Sequence, residues 1–407
     1  MNTAFFRRAT RPTLSALAVA ALLAACGGGG DDDTAAPASP TPMVAAANQL
    51  YTQTNDSTNA IVQFNRGADG RLTRAASVPT GGTGTNGIRI NGSSGPNTLG
   101  SQFSVVAVAS ERLLIAANGG DNSLSVFSLD TATGRPTLLR NTRTAGLRPN
   151  SLAVNGPVVY SSFLGGTLQL GAYRMAADGS LAQIGLYNVA QMSGLNPAQV
   201  APTQILLSPD RRFLMVSPGT ASNAVLSFPI NADGTLGNPV ANTTDLTTPF
   251  AGQFVRTTGG STVYLSTGIS GVSLTAYDLS STGRLSQRSQ AAATGVGAPC
   301  WLVVTPDGRY AYVGNGSGSI SSYAIGADGT LTLLRAIAAE EPSVLMGVNS
   351  VAGDSWVSGD GRYLYSTYLG ADKVVTYAIA ADGSLSKIDD DAVGTASRLG
   401  LQGLAGT

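Results

Sequence analysis

The chemistry open to this chain is narrow. Its 407 residues include no histidine, three glutamates (Glu111, Glu340, Glu341), two lysines (Lys373, Lys387) and two cysteines (Cys26, Cys300). Without an imidazole, a general base working near neutral pH must be a carboxylate or a thiol. The adjacent Glu340 and Glu341 could share a proton, act as the catalytic pair or bind a cation, although solvated loop carboxylates are the plainer reading. Cys300 beside Trp301 pairs a nucleophile with an aromatic platform, but nothing activates the thiol and an inert buried cysteine is the default. Arg89, Arg143, Arg148 and Arg256 could each fork a carboxylate or phosphate, or cap exposed carbonyls. Asn150, Thr203 and Gln204 carry the groups that read sugar-like hydroxyls. No cluster has metal-ligand spacing, and no Gly-rich run follows a strand and opens a helix, so no cofactor or motif-bound metal is expected.

A repeat must position these residues. The stretch TPDGRYAYVGNGSGSISSYAIGADGTLTLL (305–334) recurs as GDGRYLYSTYLGADKVVTYAIAADGSLSKI (359–388). Its tail, a Gly in a polar turn before a strand-like run, occurs at Gly70, Gly134, Gly179, Gly234, Gly283, Gly329 and Gly383. Spacings near fifty residues indicate a propeller or solenoid of strand-rich units. Each unit reads as an apolar strand, a PDG-type turn, an alternating strand, a Gly/Asn turn, a third strand, an ADG-type turn and a fourth strand. The sequence therefore predicts an all-β, seven-bladed β-propeller of four-stranded antiparallel blades. The first unit begins at Leu50-Tyr51-Thr52 and lacks an innermost strand, whereas LGLQGLAGT (399–407) follows the seventh unit. That tail is expected to enter blade 1 and close the ring. The turn aspartates, such as Asp178 and Asp328, are read as turn formers.

In such a meander the PDG and ADG turns share one face. The other carries long, dissimilar connections at 80–102, 187–200, 291–299 and 338–349, and irregular loops on a rigid scaffold are where binding concentrates. Glu340, Glu341 and the arginines are assigned to this loop face, with Asn150, Thr203 and Gln204 turned toward a central funnel.

The chain opens MNTAFFRRATRPTLSALAVAALLAACGGGGDDD. Residues 1–25 read as a basic n-region and a short apolar run, and Leu23-Ala24-Ala25-Cys26 resembles the bacterial lipobox. Lipidation at Cys26 is expected, with 26–46 a flexible tether and 47–407 the propeller domain. The implied location is the outer membrane, anchored by lipid. Charged residues make up 12% of the chain and balance at 24 of each sign, which argues against nucleic acid. The expected partners are a small molecule, a glycan or an envelope protein, and the expected state is a monomer.

TPDGRYAYVGN and GDGRYLYSTYL resemble the lactonase family of seven-bladed propellers, which includes propeller-type 6-phosphogluconolactonases and carboxymuconate cyclases. YVGN is also similar to the YVTN-type repeat of bacterial surface proteins. The resemblance implies a Pro-led element before the innermost strand that ends in His, and catalysis by a His, a Glu and arginines in the funnel. The matching places here are Pro149-Asn150-Ser151, Pro202-Thr203-Gln204 and Pro299-Cys300-Trp301, so Ser151, Gln204 and Trp301 stand where the family has His. Two readings follow: a binding module for a sugar acid, glycan or protein without His-dependent catalysis, or a lactone hydrolase using Glu340 or Glu341 with arginines.

Overall fold

The computed structural model describes residues 46–407 apart from 221, 271–273 and 294. The leader, Cys26 and nearly all of the tether lie outside the described residues. Seven four-stranded antiparallel sheets are present, six of them running in simple sequence order from inside to outside. Blade 1 is the exception: its innermost strand is the last of the chain, Gln402–Gly406, hydrogen-bonded to Gln49–Gln53. The expected fold and its closure are both seen.

Local chemistry explains the blades. Each outer hairpin turns on a Gly at positive φ, for example Gly179 at 81° and Gly329 at 83°, a conformation that costs Gly least. In the ADG turns the Asp carboxylate accepts the N–H and hydroxyl two residues on, as Asp178 does from Ser180 and Asp328 from Thr330. Asp210, Asp307 and Asp360 hold the inner turns in the same way, accepting the N–H of Arg212, Arg309 and Arg362.

The repeated tyrosines bind blade to blade. Tyr51, Tyr160 and Tyr312, each in the second strand of a blade, donate their hydroxyls to the Gly134, Gly234 and Gly383 carbonyls in the outer turn of the next blade. Tyr365 of blade 7 does the same to Gly70 of blade 1 at 2.8 Å, so the seam repeats the bond used within the ring. Radial closure leaves no long strand edge exposed.

Deleting residues 399–407 removes the innermost strand of blade 1 and bares the edge of Gln49–Gln53. The expected result is loss of the single cooperative thermal transition seen by circular dichroism. A truncated chain that melts cooperatively at the wild-type temperature would contradict this account.

Candidate functional site

The inner strands run from the loop face to the turn face and ring the axis: Val105–Val108, Leu147–Asn155, Gln204–Leu207, Thr247–Arg256, Pro299–Val304, Ala352–Val357 and Gln402–Gly406. Their axial edges have no strand to pair with, so their amides and carbonyls need other partners. Bulges occur at Pro149/Ser151, Pro249/Gly252 and Pro299/Trp301, where proline has no N–H to give to the ladder.

One tripeptide fills the centre. The blade 1 to blade 2 connection dips into the axis at Ser101-Gln102-Phe103 and bonds to strands all around it. Ser101 Oγ donates to the Asn150 carbonyl, and Trp301 Nε1 donates to the Ser101 carbonyl at 2.9 Å. Gln102 N–H donates to the Thr203 carbonyl. The Gln102 side chain pairs with Leu302 like a strand edge, its amide donating to the Leu302 carbonyl at 2.8 Å and its carbonyl accepting the Leu302 N–H at 2.9 Å. Phe103 N–H donates to Asp354 Oδ1 at 2.9 Å. This plug divides the axis. A cavity of about 510 Å³ opens on the loop face. An apolar one of about 290 Å³, lined by residues of all seven inner strands, lies toward the turn face.

Arg89, Cys300 and Trp301 line the loop-face cavity together with Asn97, Phe250 and Asn349. Trp301 is 1% exposed and meets Phe250 edge-on, with ring centroids 4.9 Å apart. Burial pushes the Cys300 thiol well above its usual range, which leaves it protonated and unreactive. The Arg89 guanidinium is anchored by the Pro96 carbonyl. Asn97 Oδ1 is buried with no hydrogen-bond partner.

The other candidates sit elsewhere. Asn150, Thr203 and Gln204 are buried and do not face the mouth. Asn150 Nδ2 donates to the Pro202 carbonyl, Thr203 Oγ1 to the Phe250 carbonyl, and Gln204 Nε2 to the Gly252 carbonyl, while Gly252 N–H returns a bond to Gln204. Each side chain satisfies backbone that the bulges and splayed strands leave open. Arg256 ends the inner strand of blade 5, on the turn face rather than the loop face, because that strand runs through to the Thr257–Gly260 turn. Arg148, on the loop-face rim, donates to the Ile88 carbonyl at 3.1 Å, and burial lowers its pKa. Arg143 is exposed at the end of an outer strand.

Glu341 is buried, held by Lys373 Nζ and Lys387 Nζ at 2.7 Å each. Both lysines of the chain thus converge on this buried carboxylate at the junction of blades 6 and 7, and both also reach Asp390. Glu340 is exposed and lines a separate loop-face cavity with Glu341, although Val348 and Asn349 border both cavities. The structure therefore does not bring the two glutamates together with Arg89.

Two features escaped sequence reasoning. Asp354 is 1% exposed; burial raises its pKa to about 7, opposed by the N–H groups of Phe103 and Gly403, and its Oδ2 has no partner. Gln102, the centre of the plug, sits in a connection whose unusual length was the one visible hint.

The architecture defines the class: a seven-bladed β-propeller with a plugged axis. Residues 239–398, from the outer strand of blade 4 through blade 7, match the family described as "Lactonase, 7-bladed beta-propeller", a match to the second part of the ring that agrees with the seven blades seen here. No curated protein matches the sequence. Among solved structures, it resembles a Bacteroides uniformis protein provisionally assigned as a 6-phosphogluconolactonase, at 19% identity and TM-score 0.64, covering 85% of this chain and 96% of that one. A periplasmic gluconolactonase of Pseudomonas aeruginosa is similar at 19% identity and TM-score 0.62, covering 85% of this chain and 97% of that one. At these identities the likeness is one of fold.

Two variants probe the core electrostatics. Between the usual carboxylate value and pH about 7, folded Asp354 holds a proton that the unfolded chain releases, so stability falls as pH rises through this window. Asp354→Asn keeps an acceptor for Phe103 N–H without the charge. It should melt higher than wild type at pH 8 and show a flatter dependence from pH 5 to 8 in thermal scans. A lower melting point at pH 8 would count against a charge penalty. Glu341→Ala leaves both lysines with Asp390 as their remaining carboxylate and should cost about 1–2 kcal/mol in urea unfolding, the worth of the lost charged hydrogen bonds; a loss within experimental error would show that the network adds little.

Proposed function

We propose that this chain is a cell-envelope protein that binds a small sugar acid in the loop-face cavity, without the His-dependent catalysis of its family. The observation that carries this reading is the cavity lining. It pairs one cationic side chain, Arg89, with amides and with the Trp301–Phe250 pair, and among the described residues it includes no carboxylate. Arg89 suits a ligand carboxylate, the Asn97 and Asn349 amides suit hydroxyls, and the aromatic floor suits a sugar face. Neither the lining nor the chain supplies an imidazole, and the cavity's one thiol is unreactive, so binding is favoured over turnover.

An envelope location follows from the leader and Cys26, which would be lipidated in the outer membrane. Among the described residues no helix is long and apolar enough to cross a membrane. The described chain enters the propeller on the turn face, where Asn48 N–H meets the Thr407 carbonyl. The cavity therefore opens on the face away from that point of entry. Hydrolysis of a lactone is the second reading, favoured by the family match and by Glu340 at the border of the neighbouring cavity.

Titration calorimetry of the mature protein with gluconate, glucono-lactone and glucose separates the two. Gluconate should bind and glucose should not, and Arg89→Ala should weaken gluconate by about 10- to 100-fold, the worth of one charged hydrogen bond. Lactone opening above the spontaneous rate, abolished by Glu340→Gln, would replace this reading with the hydrolase.

A further inference from the structure

The ring seam holds two carboxylates that the cavity does not use. Asp372 lies in the loop between the second and third strands of blade 7, and Asp56 in the corresponding loop of blade 1. Both grip the segment that leads into the closing strand. Asp372 Oδ2 accepts Thr395 N–H at 2.9 Å, and Asp56 Oδ1 accepts Ala396 N–H at 3.0 Å. Asp372 is 7% exposed and Thr395 4%.

At Asp372 the second carboxylate oxygen is left over, while Asp56 is half-buried and also bonded to Thr54 and Ser397. Asp372 Oδ1 and Thr395 Oγ1 are both buried without a hydrogen-bond partner, although the hydroxyl lies beside the carboxyl. Burial raises the pKa of Asp372, and the nearby charge of Asp56 adds to the rise. Among the described residues no lysine or arginine forms an ion pair with either carboxylate. Glu341, comparably buried, has two. Buried carboxylates are ordinarily paired with a cation or coordinated to a metal, and here the counter-charge is missing while two oxygens stand ready.

We propose that Asp372 Oδ1, Thr395 Oγ1 and the Asp56 carboxylate bind a hard divalent cation, Ca²⁺, at the junction of blades 7 and 1. The donors are all oxygen, which selects calcium over zinc or copper. Three protein groups leave water to complete the shell, so the affinity belongs with weak extracellular sites, at a Kd of about 10⁻⁴–10⁻³ M. The ion would fasten the segment that carries the chain from blade 7 into the closing strand, next to the one blade assembled from both ends of the domain. This site is independent of the sugar-acid cavity.

The test is thermal unfolding and titration calorimetry of chelator-treated mature protein with CaCl₂, against NaCl at matched ionic strength. Wild type should show saturable heat and a melting-point rise of about 1–3 °C, both lost in Asp372→Asn. Thr395→Val, which keeps both carboxylates, should bind more weakly and serves if the Asp variant fails to fold. The proposal is overturned if wild type shows neither heat nor shift, or if either variant responds as wild type does. A melting point that depends on pH but not on calcium would overturn it too, by assigning the pair a shared proton.

Discussion

The innermost strand of each blade has one edge facing the axis, where no further strand can pair with it. An unpaired buried amide or carbonyl costs more than a hydrogen bond returns, and much of the centre of this molecule answers that constraint. Gln102 and Gln204 answer it by presenting a side-chain amide that copies a strand edge, donating and accepting at one residue. Asn150 and Thr203 answer it with single bonds to neighbouring carbonyls. The plug answers it collectively, reaching blades 3, 4, 6 and 7 within three residues.

This solution limits the chemistry. Ser151, Gln204 and Trp301, which stand where the resembled lactonases have histidine, are committed to backbone. The reactive groups fare no better: the Cys300 thiol is buried and Glu341 is neutralised by two lysines. What lines the loop-face cavity is Arg89, two asparagines and apolar groups over the nearly buried Trp301–Phe250 pair. A site so composed can select by charge and shape, and it has little with which to move a proton. The cost of the arrangement falls on Asp354, whose carboxylate caps the plug from a place where charge is poorly solvated.

Closure poses the opposite problem, because blade 1 alone is assembled from both ends of the domain, its innermost strand pairing with a neighbour from the far end of the chain. Three kinds of contact meet there: strand pairing of Gln402–Gly406 with Gln49–Gln53, the Tyr365 to Gly70 bond, and the Asp56 and Asp372 grip on residues 395–396. The first repeats the pairing of every other blade, and the second repeats a bond that blades 1, 3 and 6 also make. In the third, carboxylates stand where Asn122 and Gln169 supply amide oxygens to the connections of blades 2 and 3, which is why the unpaired oxygen of Asp372 carries weight.

The sequence by itself determined blade number, strand order, turn positions and closure. These depend on signals within a few residues of one another: Asp-Gly pairs at positive φ, period-two alternation, and a repeat whose first copy lacks the strand that its last copy leaves over. Arg89, Cys300 and Trp301 were legible as neighbours of one cavity because the two-face rule places the loops. Only the tertiary structure decided that Gln102 plugs the axis, that Asp354 is buried beneath it, that Arg256 lies on the opposite face, and that Glu341 belongs to Lys373 and Lys387. Those outcomes turn on bulges that rotate individual side chains and on bonds between residues as much as 200 or 251 positions apart. No local pattern encodes such a pairing, because its energy exists only once the ring has closed around it.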